Sequence, residues 1–438
     1  MTQIAEPINV LLIGGGGREH ALAWKLSESP RLGTLFVSNP ENPGLAALGR
    51  PMDVPMDVRA PFQMQRFCDK NNIGLVVIGP EEPLAGGLAD LLAAPGRAIF
   101  GPSAAAARLE ADKAWAKQLM RAASVPMADG RVFSDPAAAK SYVESREDPP
   151  VIKASGLAKG KGVIVPGSMA EALAAIDRIM VKREFGDAGK TIIVEERLEG
   201  HEASVLALVD GRTIYVLEAC QDHKRLGDND TGPNTGGMGV YCPGGITDDA
   251  TISLVQTEVL VPTIDAMRRE GIDFRGVLYA GIMITPGGPK VLEFNTRFGD
   301  PECQALMARF DGDLLEVLLA TSTRRLDEID IHWSPAASCC IVIAAEGYPG
   351  KPKLNVPITG IDNAAKVEGV RIFHAGTKKT AAGEILTAGG RVLNVVGTGE
   401  TIAEARKRAY LAAGMIHFPG MVIRRDIAAS APELVAGS

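Results

Sequence analysis

Residues 8–13 read INVLLI and run straight into four glycines, Gly14–Gly17, before a helical pattern from Arg18 to Ser27. A run apolar at all but Asn9 and bounded by glycine suits a strand covered on both faces of a parallel sheet. Glycines at its end let the backbone approach a ligand closely. The helix start that follows offers N–H groups and a partial positive charge to an anion. Leu35–Ser38, Leu75–Gly79 and Ala98–Phe100 repeat the strand pattern, and Phe62–Lys70 is helical in period. Strands alternating with helices predict a doubly wound α/β domain ending near Gly101–Pro102. A helix follows from Ser103, a plausible N-cap, to about Ala122.

At 438 residues the chain exceeds one core, and two to four domains are expected. Beyond the first, Val151–Ala154, Val163–Val165 and Thr191–Glu195 read as strands around a helix at about Met169–Val181. Ala203–Val209 and Thr213–Glu218 are strands joined at Asp210-Gly211, a hairpin signal. Gln221–Gly245 reads as a long, glycine-rich loop, a kind usually functional inside compact domains. A helix at about Asp249–Arg269 leads to strands at Val277–Ile284 and Lys290–Phe294, then helices near Glu302–Ala308 and Asp313–Ala320. From Ser338 a strand-rich segment runs to about Asp426 with its helix at Thr401–Ala413, and the last residues read as disordered.

A hydrophobic fraction of 46% supports large cores and excludes global disorder. The net charge of −7 argues against a general nucleic-acid or membrane surface. The six cysteines include no C-x-x-C pair and fit neither zinc nor a disulfide framework, so a reduced cytosol is the simplest reading. The N-terminus lacks a signal-peptide pattern, and no apolar stretch reaches membrane-spanning length.

Three segments carry chemistry. The first glycine loop fails the dinucleotide fingerprint, because Glu19 or His20 stands where its third glycine belongs. A phosphate-bearing small molecule near Arg18 and His20 suits it better than NAD, and a plain tight turn is the bland alternative. The second loop, Lys153–Gly162 (KASGLAKGKG), is not a P-loop: Gly156 to Gly160 is one residue short, and Gly162 replaces the Ser or Thr. It can still fold over a triphosphate, with Lys153 as a point charge; a solvated basic loop is the alternative. The third, Lys290–Glu302 (KVLEFNTRFGDPE), sends Glu293, Asn295 and Arg297 to one face of a strand. A carboxylate and an amide oxygen side by side suit Mg²⁺ beside phosphate oxygens. A guanidinium one step on can hold a developing oxyanion. Glu195–Ser204 and the bases of Asp222–Arg225 add weaker signals.

These segments, in this order, resemble the ATP-grasp superfamily and, within it, the phosphoribosylamine–glycine ligase family. The strings GGGGREHALAWKL, IKASGLAKGKGV, QDHKRLGDNDTGPNTGGMG and EFNTRFGDPE carry the likeness, which extends beyond residue 390. It implies an α/β fold, α+β in part: an N-terminal parallel-sheet domain over 1–106, an ATP-grasp domain over 107–328 with a mobile lid at about 125–192, a small β-rich C-terminal domain over 329–428, and a flexible tail over 429–438. It implies ligation of glycine to 5-phosphoribosylamine with ATP, through glycyl phosphate, as the second step of de novo purine biosynthesis, by a cytoplasmic monomer. Carried over residue by residue, Glu293 and Asn295 bind Mg²⁺ or Mn²⁺, and Arg297, Glu293 and Asp300 are catalytic. Lys113, Lys153, Gly156, Lys159, Gly160, Lys161, Gly162, Glu195, Glu196, Leu198 and Glu202 surround ATP. Gly15, Gly16, Gly17, Arg18, Glu19, His20, Asn234, Thr235, Gly236, Gly237 and Glu302 line the other substrates. The chain departs from many members at Ser155, Lys159 and Thr296, and residues 279–288 supply no second acidic metal ligand. Another ATP-grasp ligase, or a non-catalytic nucleotide-binding module, are the competing readings; amine specificity, or a missing metal ligand or lysine, separates them.

Overall fold

A computed structural model describes residues 6–158, 160–245 and 248–431. Its first sheet is parallel, in the order Arg50–Pro51, Leu32–Val37, Ile8–Ile13, Ile73–Ile78, Ala98–Phe100. Ile8–Ile13 is central, and all but Asn9 of its side chains are buried. That explains the apolar run from Val10 to Ile13: both faces are covered there.

The helix expected over 103–122 is two helices, Ala104–Ala111 and Lys113–Ala122. Asp112 leaves helical geometry (φ −136°, ψ 84°) and caps the second helix by accepting the Trp115 N–H. The break makes Lys113 the first residue of a helix. Apolar periodicity ran through it unaltered, so only the capping aspartate could have signalled the stop.

A four-stranded antiparallel sheet follows, in the order Gly130–Phe133, Ile192–Glu195, Val151–Ala154, Val163–Ile164. Helices Pro136–Glu144 and Met169–Ile176 share its apolar cluster. The larger antiparallel sheet runs Ile214–Val216, His201–Asp210, Arg275–Thr285, Gly288–Asn295. Its second strand alternates: Val205, Ala207 and Val209 join a core with helices 104–122 and 249–269, while Leu206 and Leu208 join a core shared with the parallel sheet. The helix expected over 249–269 contains a π turn at Gln256–Leu260. Pro262, which has no N–H to donate, lies just beyond it and accounts for the slip in hydrogen bonding.

Gln221–Gly245 is not a plain loop. Arg225–Gly227 pairs with Thr231–Asn234, and Gly239–Cys242 is the second strand of a five-stranded sheet. The order there is Gln221–Asp222, Gly239–Cys242, Ala337–Ala344, Arg391–Gly399, Val370–His374. The partner of Gly239–Cys242 is remote in sequence, and β pairing depends on the partner more than on local composition. Helix Ile402–Ala413 packs on this sheet. Among the described residues no helix is long and apolar enough to cross a membrane.

Candidate active site

The site lies where the two antiparallel sheets meet. Glu293 and Asn295 end the Gly288–Asn295 strand, opposite Gly281 and Tyr279, with a register shift beside Glu293. Burial favours the neutral form of Glu293, but the charges of Lys113, Lys224, Lys153 and Arg297 outweigh it and hold its pKa below the ordinary value. Lys113 comes from the helix start that Asp112 creates. Its N–H donates to the Ser155 carbonyl, and the Ser155 hydroxyl donates to Asp112 while accepting the Ala114 N–H. Ser155 thus fastens the base of the second glycine loop to that helix.

Lys153 is buried with its ammonium 2.7 Å from Glu195 Oε2 and 2.8 Å from the Leu292 carbonyl. Glu195 Oε1 takes Lys117 at 2.7 Å. Burial raises the Glu195 pKa, but Lys153 and Lys117 together bring it below the ordinary value. Lys117 escaped sequence reasoning, although it stands one helical turn after Lys113. The Glu196 carboxylate accepts the Asp129 N–H and lies 3.4 Å from Lys290. Leu198, three residues past the Ile192–Glu195 strand, is half-buried. Glu202 is exposed and pairs with Lys224 at 2.9 Å.

The Arg297 guanidinium donates to Glu110 Oε1 and Asn295 Oδ1, both at 3.2 Å, and to the Phe298 carbonyl. Its buried Nε makes no hydrogen bond and lies 3.5 Å from Glu81. Glu110, only 5% exposed, also accepts the Thr296 N–H at 2.8 Å. It fixes both ends of the Thr296–Arg297 turn, and nothing in the linear sequence connected it to that turn.

The second loop reaches toward the hairpin that carries Asn234–Gly237. Gly160 (φ +73°) lies beside Thr235 and Gly236, so close that an added Cβ would sit 3.8 Å from the Thr235 carbonyl oxygen. Gly156 packs on Ala188, Gly162 on Ala158, and Lys161 is exposed. Lys159 lies outside the described residues. Thr235 is buried and closes the turn by accepting the Gly237 N–H, and Gly237 (φ +109°) lies against Asp222 and Pro301. Asp222 Oδ1 is buried without a hydrogen-bond partner, and burial beside Glu302 pushes the Asp222 pKa well up. Glu302 accepts the Tyr279 hydroxyl at 2.7 Å. Two carboxylates, Glu302 buried and Asp222 with one buried oxygen, therefore adjoin Lys224 and Arg391.

The first glycine loop is drawn into packing. Gly16 N–H and the Arg18 guanidinium bind Glu19, and Arg18 also donates to the Phe298 carbonyl. Gly15 abuts Asn39, and Gly17 faces the Asn394 and Gln304 side chains. Asp300 accepts from Gln304 and from the Arg18 N–H, and its carboxylate pairs with Arg391 at 3.6 Å. Burial alone would raise the Asp300 pKa, but Arg391 and Arg18 hold it low. His20 stands apart: its Nδ1 accepts the His374 N–H and its ring packs edge-on against Phe373. Burial, with His374 and Arg371 nearby, pushes its pKa down to about 3.

The arrangement gathers lysines and an arginine about one carboxylate–amide pair, next to the carboxylates of Glu302 and Asp222. It can hold a polyphosphate with a hard cation and stabilise an oxyanion. No nucleophilic triad is present among these residues. The free oxygens of Glu293, and the amide oxygen of Asn295 beside them, fit a cation such as Mg²⁺, which keeps further positions for phosphate and water. Opposite Glu293, Gly281 offers no second carboxylate.

Three models of the phosphoribosylglycinamide synthetase family match the chain: the N domain over residues 8–110, the ATP-grasp (A) domain over 111–303 and the C domain over 338–430. A phosphoribosylamine–glycine ligase of Rhodopirellula baltica is 48% identical over 427 residues, covering 96% of this chain and 97% of the relative. One from Nostoc is 49% identical over 422 residues, covering 96% and 99%. The crystal structure of the Thermotoga maritima phosphoribosylamine–glycine ligase superposes with a TM-score of 0.83 at 32% identity, covering 96% of this chain and all of that one.

Proposed function

We propose a division of labour that proceeds from one premise: the chain belongs to the phosphoribosylglycinamide synthetase family. Its activity is that of an ATP-grasp phosphoribosylamine–glycine ligase in purine biosynthesis. The observation that carries the assignment of roles is the convergence of Lys113, Lys153, Lys224 and Arg297 on Glu293.

Lys113 and Lys153 neutralise the ATP phosphates, and the 156–162 loop, Lys159 and Lys161 included, closes over them. Glu195, Glu196 and Leu198 border the adenine, and Glu202 the ribose. Glu293 and Asn295 hold Mg²⁺ or Mn²⁺, which would supply charge neutralisation on the transferring phosphate. The glycine carboxylate attacks the γ-phosphorus, ADP leaves, and glycyl phosphate forms. The amine of 5-phosphoribosylamine then attacks the glycyl carbonyl and displaces phosphate. Arg297 faces the negative charge of both steps, positioned by Glu110. Little proton transfer is required, so positioning and electrostatics carry the rate. Glu302 offers negative charge, and Asp222 beside it an acceptor oxygen, to the glycine ammonium. Gly15–Gly17 and Asn234–Gly237 border the phosphoribosylamine. Arg18, Glu19 and Asp300 hold that border in shape, and His20 supports it from behind. The enzyme works as a monomer in the cytoplasm.

With ATP, Mg²⁺, glycine and phosphoribosylamine together, ADP is released; omission of any one stops it. AMP as product, or indifference to glycine, refutes the chemistry. Glu293→Gln abolishes ADP formation while the circular dichroism spectrum is unchanged, and near-normal turnover in that variant removes the metal assignment.

A further inference from the structure

Cys220 and Cys242 stand at the two ends of the segment that carries Asp222, Lys224 and Thr235–Gly237. Gln221 pairs with Tyr241 and Asp222 with Val240, so the next position of the same register sets Cys220 opposite Cys242. Cys220 turns its backbone N–H and C=O to Ser204 on the other side. Cys220 and Cys242 are therefore a pair without backbone hydrogen bonds between them, the type in which side chains come closest. Such pairs place their Cα atoms about 4.5 Å apart, inside the range of roughly 4.4–6.8 Å that a disulfide spans. The Cys220 thiol donates to the Glu218 carbonyl at 3.8 Å. Both are buried, and Arg309, itself buried, donates to Cys242 Sγ at 3.0 Å while pairing with Glu218 at 2.6 Å. Burial opposes ionisation of Cys242, but the Cys220 thiol and the guanidinium outweigh it and lower its pKa. The other four cysteines are buried as well, and burial pushes each of their thiols up.

We propose that Cys220 and Cys242 form a reversible intramolecular disulfide when the enzyme meets a peroxide. The Cys242 thiolate attacks one peroxide oxygen, the O–O bond breaks, and the departing hydroxide takes up the proton that Cys242 gave to solvent. The resulting sulfenic acid is attacked at sulfur by Cys220. The S–S bond forms, the S–O bond breaks, and the Cys220 proton leaves with that oxygen as water. Two thiols and one hydrogen peroxide give one disulfide and two waters, with both electrons passing to the peroxide. The bond ties Cys220, bridged to Ser204 of the larger antiparallel sheet, to Cys242 of the five-stranded sheet.

The test is hydrogen peroxide treatment of the native full chain, alkylation of free thiols, and tryptic mapping without reductant. The expected result is a linked pair of peptides containing Cys220 and Cys242, lost on dithiothreitol and absent from Cys220→Ser and Cys242→Ser. The bridged wild type melts at a higher temperature than the reduced protein. Six alkylated cysteines after treatment, a bridge between other cysteines, irreversible over-oxidation of Cys242 in place of the bridge, or a melting temperature that does not rise would each overturn the proposal.

Discussion

Replacing Glu195 with Gln isolates a buried charge cluster next to the site. The carboxylate is 6% exposed, and its two oxygens each meet an ammonium at 2.7 Å: Lys117, 3% exposed, and Lys153, 6% exposed. Glutamine keeps one acceptor, and its NH₂ group then faces the other lysine, donor against donor. One charge-assisted hydrogen bond lost is worth about 1.5–3 kcal/mol, and breaking a buried ion pair costs about 3–5 kcal/mol. Lys117 retains the Ala128 carbonyl and Lys153 the Leu292 carbonyl, so the lower part of that range applies. We therefore expect a loss of about 3 kcal/mol, read from urea denaturation of both proteins under identical conditions. The pH dependence has a definite sign. The Glu195 pKa is depressed in the folded state, so its stabilisation is complete above the ordinary carboxylate pKa. It is lost as pH falls through the depressed value. Glu195→Gln should thus flatten the acid limb of the stability curve. A loss below about 1 kcal/mol, the level of an exposed pair, or an unchanged acid limb would refute the reasoning.

Two other outcomes are expected. Glu110→Gln loosens the grip on Thr296 and Arg297, and a misplacement of that order lowers kcat by roughly 10²-fold; steady-state kinetics should show this with little change in KM for ATP, and an unchanged kcat would discard Glu110 as a positioning residue. His20 and His374 are pushed down to about 3 and about 4, chiefly by burial, so their stabilisation is present above the unfolded value of about 6.5 and is lost below it. Stability should fall by about 1.4 kcal/mol per pH unit for each as pH drops below that value, and His20→Asn should reduce the slope; an identical slope in that variant would contradict the burial argument.

What the sequence made legible follows the range of the interactions involved. Ile8–Ile13 and its glycines were readable because a strand covered on both faces needs only its own apolar residues. Glu293 and Asn295 were readable because alternation along one strand places them together; Arg297, expected on the same strand, lies two residues past its end, and the turn that Glu110 holds brings its guanidinium to Asn295. Asp112 was missed because a helix break capped by its own side chain leaves apolar period intact on both sides. Glu110 and Lys117 were missed because their partners, Thr296, Arg297 and Glu195, lie far along the chain. His20 drew attention by sitting beside the glycines, yet one helical step turns it toward Phe373 and His374. Gly239–Cys242 was hidden among glycines because its strand character comes from Ala337–Ala344.

That last strand has a consequence for how the protein is made. Gly239–Cys242 leaves the ribosome well before Ala337–Ala344, the strand that completes its pairing. At about 5–20 residues per second, the roughly one hundred intervening residues take about 5–20 s to synthesise. During that time the second strand of the later sheet waits with one edge open. The gene cannot be cut cleanly between the sheets either: a fragment starting at residue 338 would carry that sheet without two of its five strands. A chain stalled or truncated before residue 337 would expose Gly239–Cys242 to pairing with another copy.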